Sequence, residues 1–184
     1  MKSRRSNDYD FLTVWRVPGT VDEVMAILSD APSLPRWWPS VYLSVTPLPS
    51  VAPAFSGEQP DDDGGPSDVG SAVPARSFLL HTKGWLPYTL HWTMTPSEPI
   101  TRQGFSISAS GDLNGTGRWT FAQEGAETVI TFHWQVSAGK PLLRWLSWLL
   151  KPAFAVNHRW AMARGQESLV RELRCRRGQS DHRQ

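Results

Sequence analysis

The chain has only one cysteine, Cys175, among its 184 residues. A single cysteine cannot form a disulfide within the chain, and a lack of disulfides is typical of a reducing compartment. The N-terminal stretch MKSRRSNDYDF carries basic residues but no apolar core of the kind that a secretory signal needs. These two features predict a cytoplasmic protein.

Long apolar runs are also missing. The longest, from Trp145 to Val156, is interrupted by Lys151 and Pro152. It falls well short of the roughly twenty apolar residues that a membrane-spanning helix needs. The sequence therefore predicts no transmembrane helix.

The patterns that mark metal, nucleotide or hydrolase sites are absent too. No two histidines stand four residues apart and there is one cysteine, so we predict no metal. The stretch Gly115-Thr116-Gly117 is too short for a dinucleotide-binding loop, and no Gly-x-Ser-x-Gly motif occurs. His81, His91 and His133 fall on predicted strands among solvent-side neighbours. We therefore predict no cofactor.

A strong net charge is lacking, because the formal charge is only +2. So small a charge does not predict binding to nucleic acid.

Residues 48–68 nevertheless hold five acidic residues and no basic one, amid proline, glycine and serine. Such a segment buries too little apolar surface to offset its chain entropy, so we predict a disordered insertion, with a flap over a pocket as the alternative. It interrupts a single domain over residues 1–177, which a basic tail at 178–184 follows.

Short segments of alternating apolar and polar residues fill most of the remaining chain, which is typical of strands with one buried face. A helix is predicted over residues 21–30, with Thr20 as its N-cap and Glu23 in the capping-box position. The predicted strands are Asp8–Val17, Val41–Thr46, Val73–Lys83, Tyr88–Thr95, Arg102–Gly111, Thr116–Ala122 and Thr128–Val136. The dipeptide Asn114-Gly115 predicts the hairpin turn before the sixth of these strands.

The last long apolar stretch, residues 140–174, predicts the helix that covers this sheet. Apolar residues recur there at three- and four-residue intervals. They are Leu142, Leu146, Leu149, Ala153, Val156, Trp160 and Ala163 on one face, and Met162, Leu169 and Leu173 on an adjoining stripe. Arg159, Arg164, Glu167, Arg171 and Glu172 supply polar positions, and Pro152 predicts a break or bend that leaves Leu142–Leu150 as a separate short helix.

The order of elements predicts an α+β fold in which an antiparallel curved sheet of about six or seven strands wraps around the long C-terminal helix. This order resembles the helix-grip fold of the START and birch-pollen-allergen superfamily, also called SRPBCC. The stretch VWRVPGTVDEVMAILSDAPSLPRWWPSVYLSV resembles the opening of its polyketide cyclase/dehydrase-like branch. The blocks KGWLPYTLHW, GDLNGTGRW and FAVNHRWAMARGQESL resemble later parts of that branch.

The resemblance implies a long apolar cavity between the sheet and the last helix. Ten tryptophans among 184 residues are an unusual supply of rings for its walls, although each can also be ordinary core. On the alternation pattern, Trp92, Phe105, Trp119 and Trp134 share the apolar face of the sheet, and Trp160 lies on the apolar side of the helix. Trp37 and Trp38 fall at one end of the sheet, where either one lines the cavity mouth or Trp37 plugs the core.

Asn157 and His158 lie in the middle of the predicted helix, next to Trp160. Either could orient a ligand carbonyl or hydroxyl, and His158 is the weak candidate for a catalytic base. The alternative is that one of them only bonds a neighbouring loop. The favoured function is binding of an apolar or aromatic small molecule that is lipid-, polyketide- or isoprenoid-like.

Two other functions stay open. Members of the family that cyclise or dehydrate polyketides imply an enzyme, and the acidic segment 48–68 suits an interaction module. The stretch LLRWLSWLLKPAF also suits transient contact with a membrane surface. The sequence identifies neither the ligand nor the oligomeric state.

Overall fold

The structure, a computed structural model, describes residues 8–49, 76–97, 99–138 and 141–181, with the backbone alone at 138, 141–151 and 180–181. Most of the predicted insertion, the start of the predicted strand at Val73 and the end of the basic tail lie outside these residues.

Seven strands form one antiparallel sheet in the order β1-β7-β6-β5-β4-β3-β2. They are β1 (Asp8–Pro18), β2 (Tyr42–Pro47), β3 (Phe78–Lys83), β4 (Thr89–Pro96), β5 (Gly104–Gly111), β6 (Leu113–Glu124) and β7 (Glu127–Ala138). β2 to β7 follow one another as a meander, and β1 returns to pair with β7. The predicted α+β architecture, a curved antiparallel sheet with a long C-terminal helix, is confirmed.

Alternation along the strands gives the sheet one buried face. In β6, for example, Trp119 and Phe121 are buried whereas Arg118 and Ala122 are exposed. The buried apolar members of β5 and β7 are Phe105, Ile107, Ala109, Ile130, Phe132, Trp134 and Val136. These side chains form the inner face on which the helices pack.

Two short helices carry the chain between the edge strands β1 and β2. α1 (Val21–Leu28) begins at the predicted cap, since Thr20 Oγ1 accepts from the Glu23 amide and the Glu23 carboxylate accepts from the Thr20 amide. A 3-10 turn then leads into α2 (Leu34–Trp37). Together these elements close one end of the sheet.

The β5–β6 turn does not lie where the sequence predicts. Asn114 and Gly115 belong to β6 and pair with β7, and the chain turns instead at Gly111, whose φ is +119°. The Asn114 side chain closes this turn, because its Oδ1 accepts from the Gly111 amide and its Nδ2 donates to the Gly111 carbonyl. The prediction of an Asn114-Gly115 turn is therefore wrong, since glycine supplies the positive φ one residue before Asp112.

α3 (Pro141–Asp181) is one uninterrupted helix with Pro152 inside it. The predicted separate helix over Leu142–Leu150 is not formed. Proline removes the hydrogen bond to the carbonyl of Trp148, and the helix continues on both sides of that gap. Within the described ranges, no helix is both long and apolar enough to cross a membrane.

The face of α3 that packs on the sheet is the stripe predicted as secondary. Met162, Leu169 and Leu173 are buried, whereas Val156 is 43% exposed and Ala163 is exposed. The prediction of the primary face is thus wrong for these last two residues, and the side chains of Leu142, Leu146 and Leu149 lie outside the described set. The buried stripe also includes Gly165, Ser168 and Glu172, whose small or polar side chains weaken its apolar signal.

Glu172, one of the predicted polar positions of the helix, is only 7% exposed. Its carboxylate accepts two hydrogen bonds from the Arg36 guanidinium, at 2.6 and 2.9 Å, and one from Arg176 Nε at 2.8 Å. Charged donors compensate the burial of the carboxylate, and the hydrogen bonds from Arg36 hold the pKa of Glu172 below its usual value. This ion pair joins α3 to α2 and so fixes the segment that carries Trp37 and Trp38.

Candidate ligand-binding cavity

A cavity of about 220 Å³ lies between the inner face of the sheet and α3. All seven strands and all three helices contribute to its wall. The wall is mostly apolar, and its only residue with a formal charge at neutral pH, among those the structure describes, is Lys83. Of the predicted ligand-binding residues, the lining includes Trp38, Trp92, Phe105, Trp119, Trp134, Asn157 and His158, whereas Trp37 and Trp160 are not part of it.

Stacked rings form the sheet side of the cavity. Trp119 stacks on Phe132 with ring centres 4.0 Å apart, and Phe132 stacks on Trp134 at 5.5 Å. Trp92 and Phe105 extend this layer, at 5.8 Å from Trp134 and 6.4 Å from Trp119 respectively. Of the five rings predicted to converge, the four on the sheet lie together in the cavity wall and Trp160 does not line it. Phe132, which the prediction did not name, joins the four.

Trp37 and Trp38 are both buried, at 5% and 3% exposure. They can both point inward because they end a helix rather than lie on a strand. Trp38 lines the cavity and contacts Tyr42 edge-on, with ring centres 5.2 Å apart. Trp37 packs behind it at 5.5 Å. Trp37 thus belongs to the core, as one of the two predicted alternatives has it.

His158 faces the cavity from the middle of α3. Its ring stacks on Phe11 at 4.2 Å and its Nε2 lies 3.2 Å from Thr13 Oγ1. Burial lowers the pKa of His158 to about 4, because the apolar surroundings disfavour the charged imidazolium. The ring is therefore neutral at pH 7, and its Nδ1 has no hydrogen-bond partner among the described residues.

Asn157 also lines the cavity, but its carbonyl oxygen is occupied. Oδ1 accepts from the backbone amides of Trp85 and Leu86, at 2.7 and 3.2 Å. The contact is close because residue 84 is glycine; a Cβ there would lie 2.5 Å from Asn157 Nδ2. Asn157 thus ties the β3–β4 loop to α3, which is the alternative role that the sequence left open for it.

Replacing Asn157 with alanine should release that loop. Each lost hydrogen bond is worth about 1 kcal/mol, so we expect hydrogen exchange at the Trp85 and Leu86 amides to become roughly tenfold faster. Asn157→Asp keeps the acceptor oxygen and should keep the protection. Equal exchange in the alanine variant and the wild type would show that the loop is held by other contacts.

Trp160 packs against the core from a half-buried position outside the cavity. The helix face that meets the cavity is instead formed by Phe154, Ala161 and Met162, together with Asn157 and His158. Trp160 lies outside the cavity because the buried stripe of α3 is not the one that the sequence predicts as the primary face.

The prediction missed the tyrosines. The chain has three, Tyr9, Tyr42 and Tyr88, and all of them line the cavity. Burial raises the pKa of each, to about 12 for Tyr88. Tyr9 and Tyr88 approach Phe154 edge-on, at 5.4 and 6.4 Å. A signal existed, because both tyrosines fall on the apolar side of their alternating segments.

His81, His91 and His133 are not part of the cavity lining. His81 and His91 stack across β3 and β4 at 4.1 Å, and His133 Nε2 lies 2.7 Å from an Asp10 carboxylate oxygen. Within the residues that the structure describes, no three histidine, cysteine, aspartate or glutamate side chains gather as a metal site would require.

Comparisons with known proteins agree with this architecture. A protein of Thermus thermophilus superposes with a TM-score of 0.60 at 14% identity, over 89% of this chain and 99% of its own. The Zhui aromatase/cyclase of Streptomyces sp. R1128 gives 0.61 at 13% identity, over 92% and 95%. A START superfamily protein of Mycobacterium smegmatis gives 0.55 at 14%, over 87% and 98%. At these identities the likeness shows the fold alone.

The family assignment comes from the sequence. A comparison with curated proteins found no match. The family model described as "Polyketide cyclase / dehydrase and lipid transport", however, matches residues 12–174. That range covers most of the sheet, both short helices and most of α3, and it confirms the resemblance found in the sequence. The chain therefore belongs to the polyketide cyclase / dehydrase and lipid transport family.

Proposed function

We propose that the protein binds a compact apolar or aromatic small molecule in this cavity. The observation that carries the proposal is the cavity itself. Protein interiors are close-packed, and voids much larger than a water molecule are few. Here about 220 Å³ stays unfilled beside α3, within a wall rich in aromatic rings. Drug-sized ligand pockets measure roughly 300–1,000 Å³, so the ligand is a small one or reaches the surface at one end.

The wall indicates a flat ligand. The stacked layer of Trp119, Phe132 and Trp134 offers ring faces and edges, and aromatic groups gain from both. Trp38, Trp92 and Phe105 complete the predicted contacts. We infer that Trp37 and Trp160 act on the ligand only through the residues that they support. The family description supports a polyketide- or lipid-like molecule.

A second candidate function is catalysis on such a ligand, as in a cyclase or dehydratase. One observation favours it: His158 presents an unprotonated imidazole to the cavity. General bases work best when their pKa lies near the working pH, however, and a pKa of about 4 makes His158 a weak one. Binding therefore ranks first.

Interaction through the acidic segment and membrane contact by residues 142–154 both stay predictions. Each rests largely on parts of the chain outside the described side chains.

The binding proposal can be tested by filling the cavity. Ala161 lines the cavity from α3, so a phenylalanine at this position would occupy part of the space. We expect organic extracts of the purified wild type to contain a retained compound by mass spectrometry. In Ala161→Phe the retained amount should fall at least about tenfold, because the added ring occupies space in which the ligand makes its van der Waals contacts.

The matched control is Ala163→Phe, which adds the same ring two residues further along the helix at an exposed position. It should retain the compound at the wild-type level. Melting curves of both variants establish that they fold. Equal retention in the two variants would contradict binding in this cavity.

A further inference from the structure

The three tyrosines in the cavity wall differ in what their hydroxyls can reach. The Tyr9 hydroxyl is fully closed off and has no hydrogen-bond partner among the described residues. Tyr42 lines the cavity and is only partly buried, which is consistent with a hydroxyl that reaches the cavity. Its hydroxyl is not among the closed-off atoms and bonds no described residue.

The side chain paired with Tyr42 across the strands is already engaged in other hydrogen bonds. The hydroxyl of Thr82, the residue paired with Tyr42 on β3, accepts from Trp92 Nε1 at 3.2 Å and donates to the Leu90 carbonyl at 3.4 Å. The indole of Trp38 meets the Tyr42 ring edge-on and holds it in place. Burial raises the pKa of the Tyr42 phenol, so it keeps its proton and remains a donor.

The charges around the cavity limit the ligand further. No aspartate or glutamate is found among the described lining residues, and Lys83 is the one formal charge there. A cationic ligand would lose its hydration without gaining a counter-ion. An uncharged oxygen, by contrast, would accept from Tyr42 at no such cost.

We propose that Tyr42 is a specificity-determining residue, and that it selects flat, uncharged ligands that carry a hydrogen-bond acceptor oxygen, such as a ketone, over hydrocarbons of the same shape. The inference rests on the proposed function, since it requires that the cavity bind a ligand. It adds which residue distinguishes between ligands and which chemical group it recognises. Because no described residue bonds the Tyr42 hydroxyl, only an acceptor on the ligand can bond it once the ligand has displaced water from the cavity.

The test uses fluorene and 9-fluorenone, which share a ring skeleton and differ by one carbonyl oxygen. Their binding can be measured by equilibrium dialysis with chromatographic detection. The wild type should bind fluorenone about tenfold more tightly than fluorene, the usual effect of one hydrogen bond in a buried site. In Tyr42→Phe the two affinities should become equal through loss of fluorenone binding. Ala163→Phe changes an exposed position outside the cavity wall and should keep the tenfold preference.

The outcomes separate the two proposals. If the wild type binds both compounds equally, the cavity function stands and the role of Tyr42 is overturned. If a preference exists but is lost in Tyr88→Phe and not in Tyr42→Phe, the assignment to Tyr42 is also overturned. If neither compound binds, both proposals fail.

An infrared spectrum of fluorenone bound to the wild type gives a measurement that needs no variant. The carbonyl stretch should move to lower frequency than in hexane. An unshifted carbonyl band would overturn the hydrogen bond even if Tyr42→Phe did not fold.

Discussion

Replacing Gly165 with alanine is expected to destabilise the protein by about 2 kcal/mol, although alanine is the better helix former. An added Cβ would lie 2.6 Å from Cε2 and Cη2 of Trp38, far inside normal contact. The indole cannot retreat easily, because Trp15, Trp37 and Tyr42 surround it. Overpacking of up to about 3 kcal/mol then exceeds the gain of about 1 kcal/mol in helix propensity. The melting temperature should fall by about 4–8 °C.

Gly178→Ala is the matched control, since it lies on the same helix and nothing stands within 4 Å of its added Cβ. That variant should be neutral or more stable by up to about 1 kcal/mol. Thermal unfolding of both variants gives the comparison. A rise in melting temperature for Gly165→Ala would contradict the close packing of Trp38 on α3. The packing also concerns function, because a displaced Trp38 would move toward the cavity that it lines.

Gly165 also shows why sequence patterns misjudge α3. An apolar period marks the buried face of most helices, but the residue that meets Trp38 is a glycine, and Glu172 lies about two turns further along the same buried face. Neither contributes to an apolar period. The site of Glu172 depends on Arg36, which is far away in the chain. A partner that distant cannot be inferred from local spacing.

The strands are far easier to predict. Their period of two follows directly from one buried face, so the alternation alone places the rings of Trp92, Phe105, Trp119 and Trp134 together. Hydrogen bonds are not predictable in the same way. Whether Asn157 faces a ligand or a loop depends on the path of the β3–β4 connection, and whether Tyr42 is satisfied depends on what its neighbours already bond.

Acid should weaken the fold through His158. Its pKa is about 4 in the folded protein and about 6.5 in an unfolded chain. Between these values the unfolded chain binds a proton that the folded protein does not. The stabilisation is therefore complete above about pH 6.5 and is lost as the pH falls toward 4. The full loss attributable to His158 is roughly 3 kcal/mol.

His158→Phe isolates that contribution. A phenyl ring retains the stack on Phe11 and cannot take up a proton. At neutral pH the variant loses the hydrogen bond between His158 and Thr13. The free energy of unfolding should be measured by denaturant titration at about pH 7.5 and about pH 4.5 for both proteins. We expect the wild type to lose about 2–3 kcal/mol more than the variant between these pH values. All other titrating groups are common to both proteins and cancel in the difference. If the two proteins lose the same stability, the pKa of His158 is not depressed, and its imidazole is a stronger base than the cavity geometry indicates.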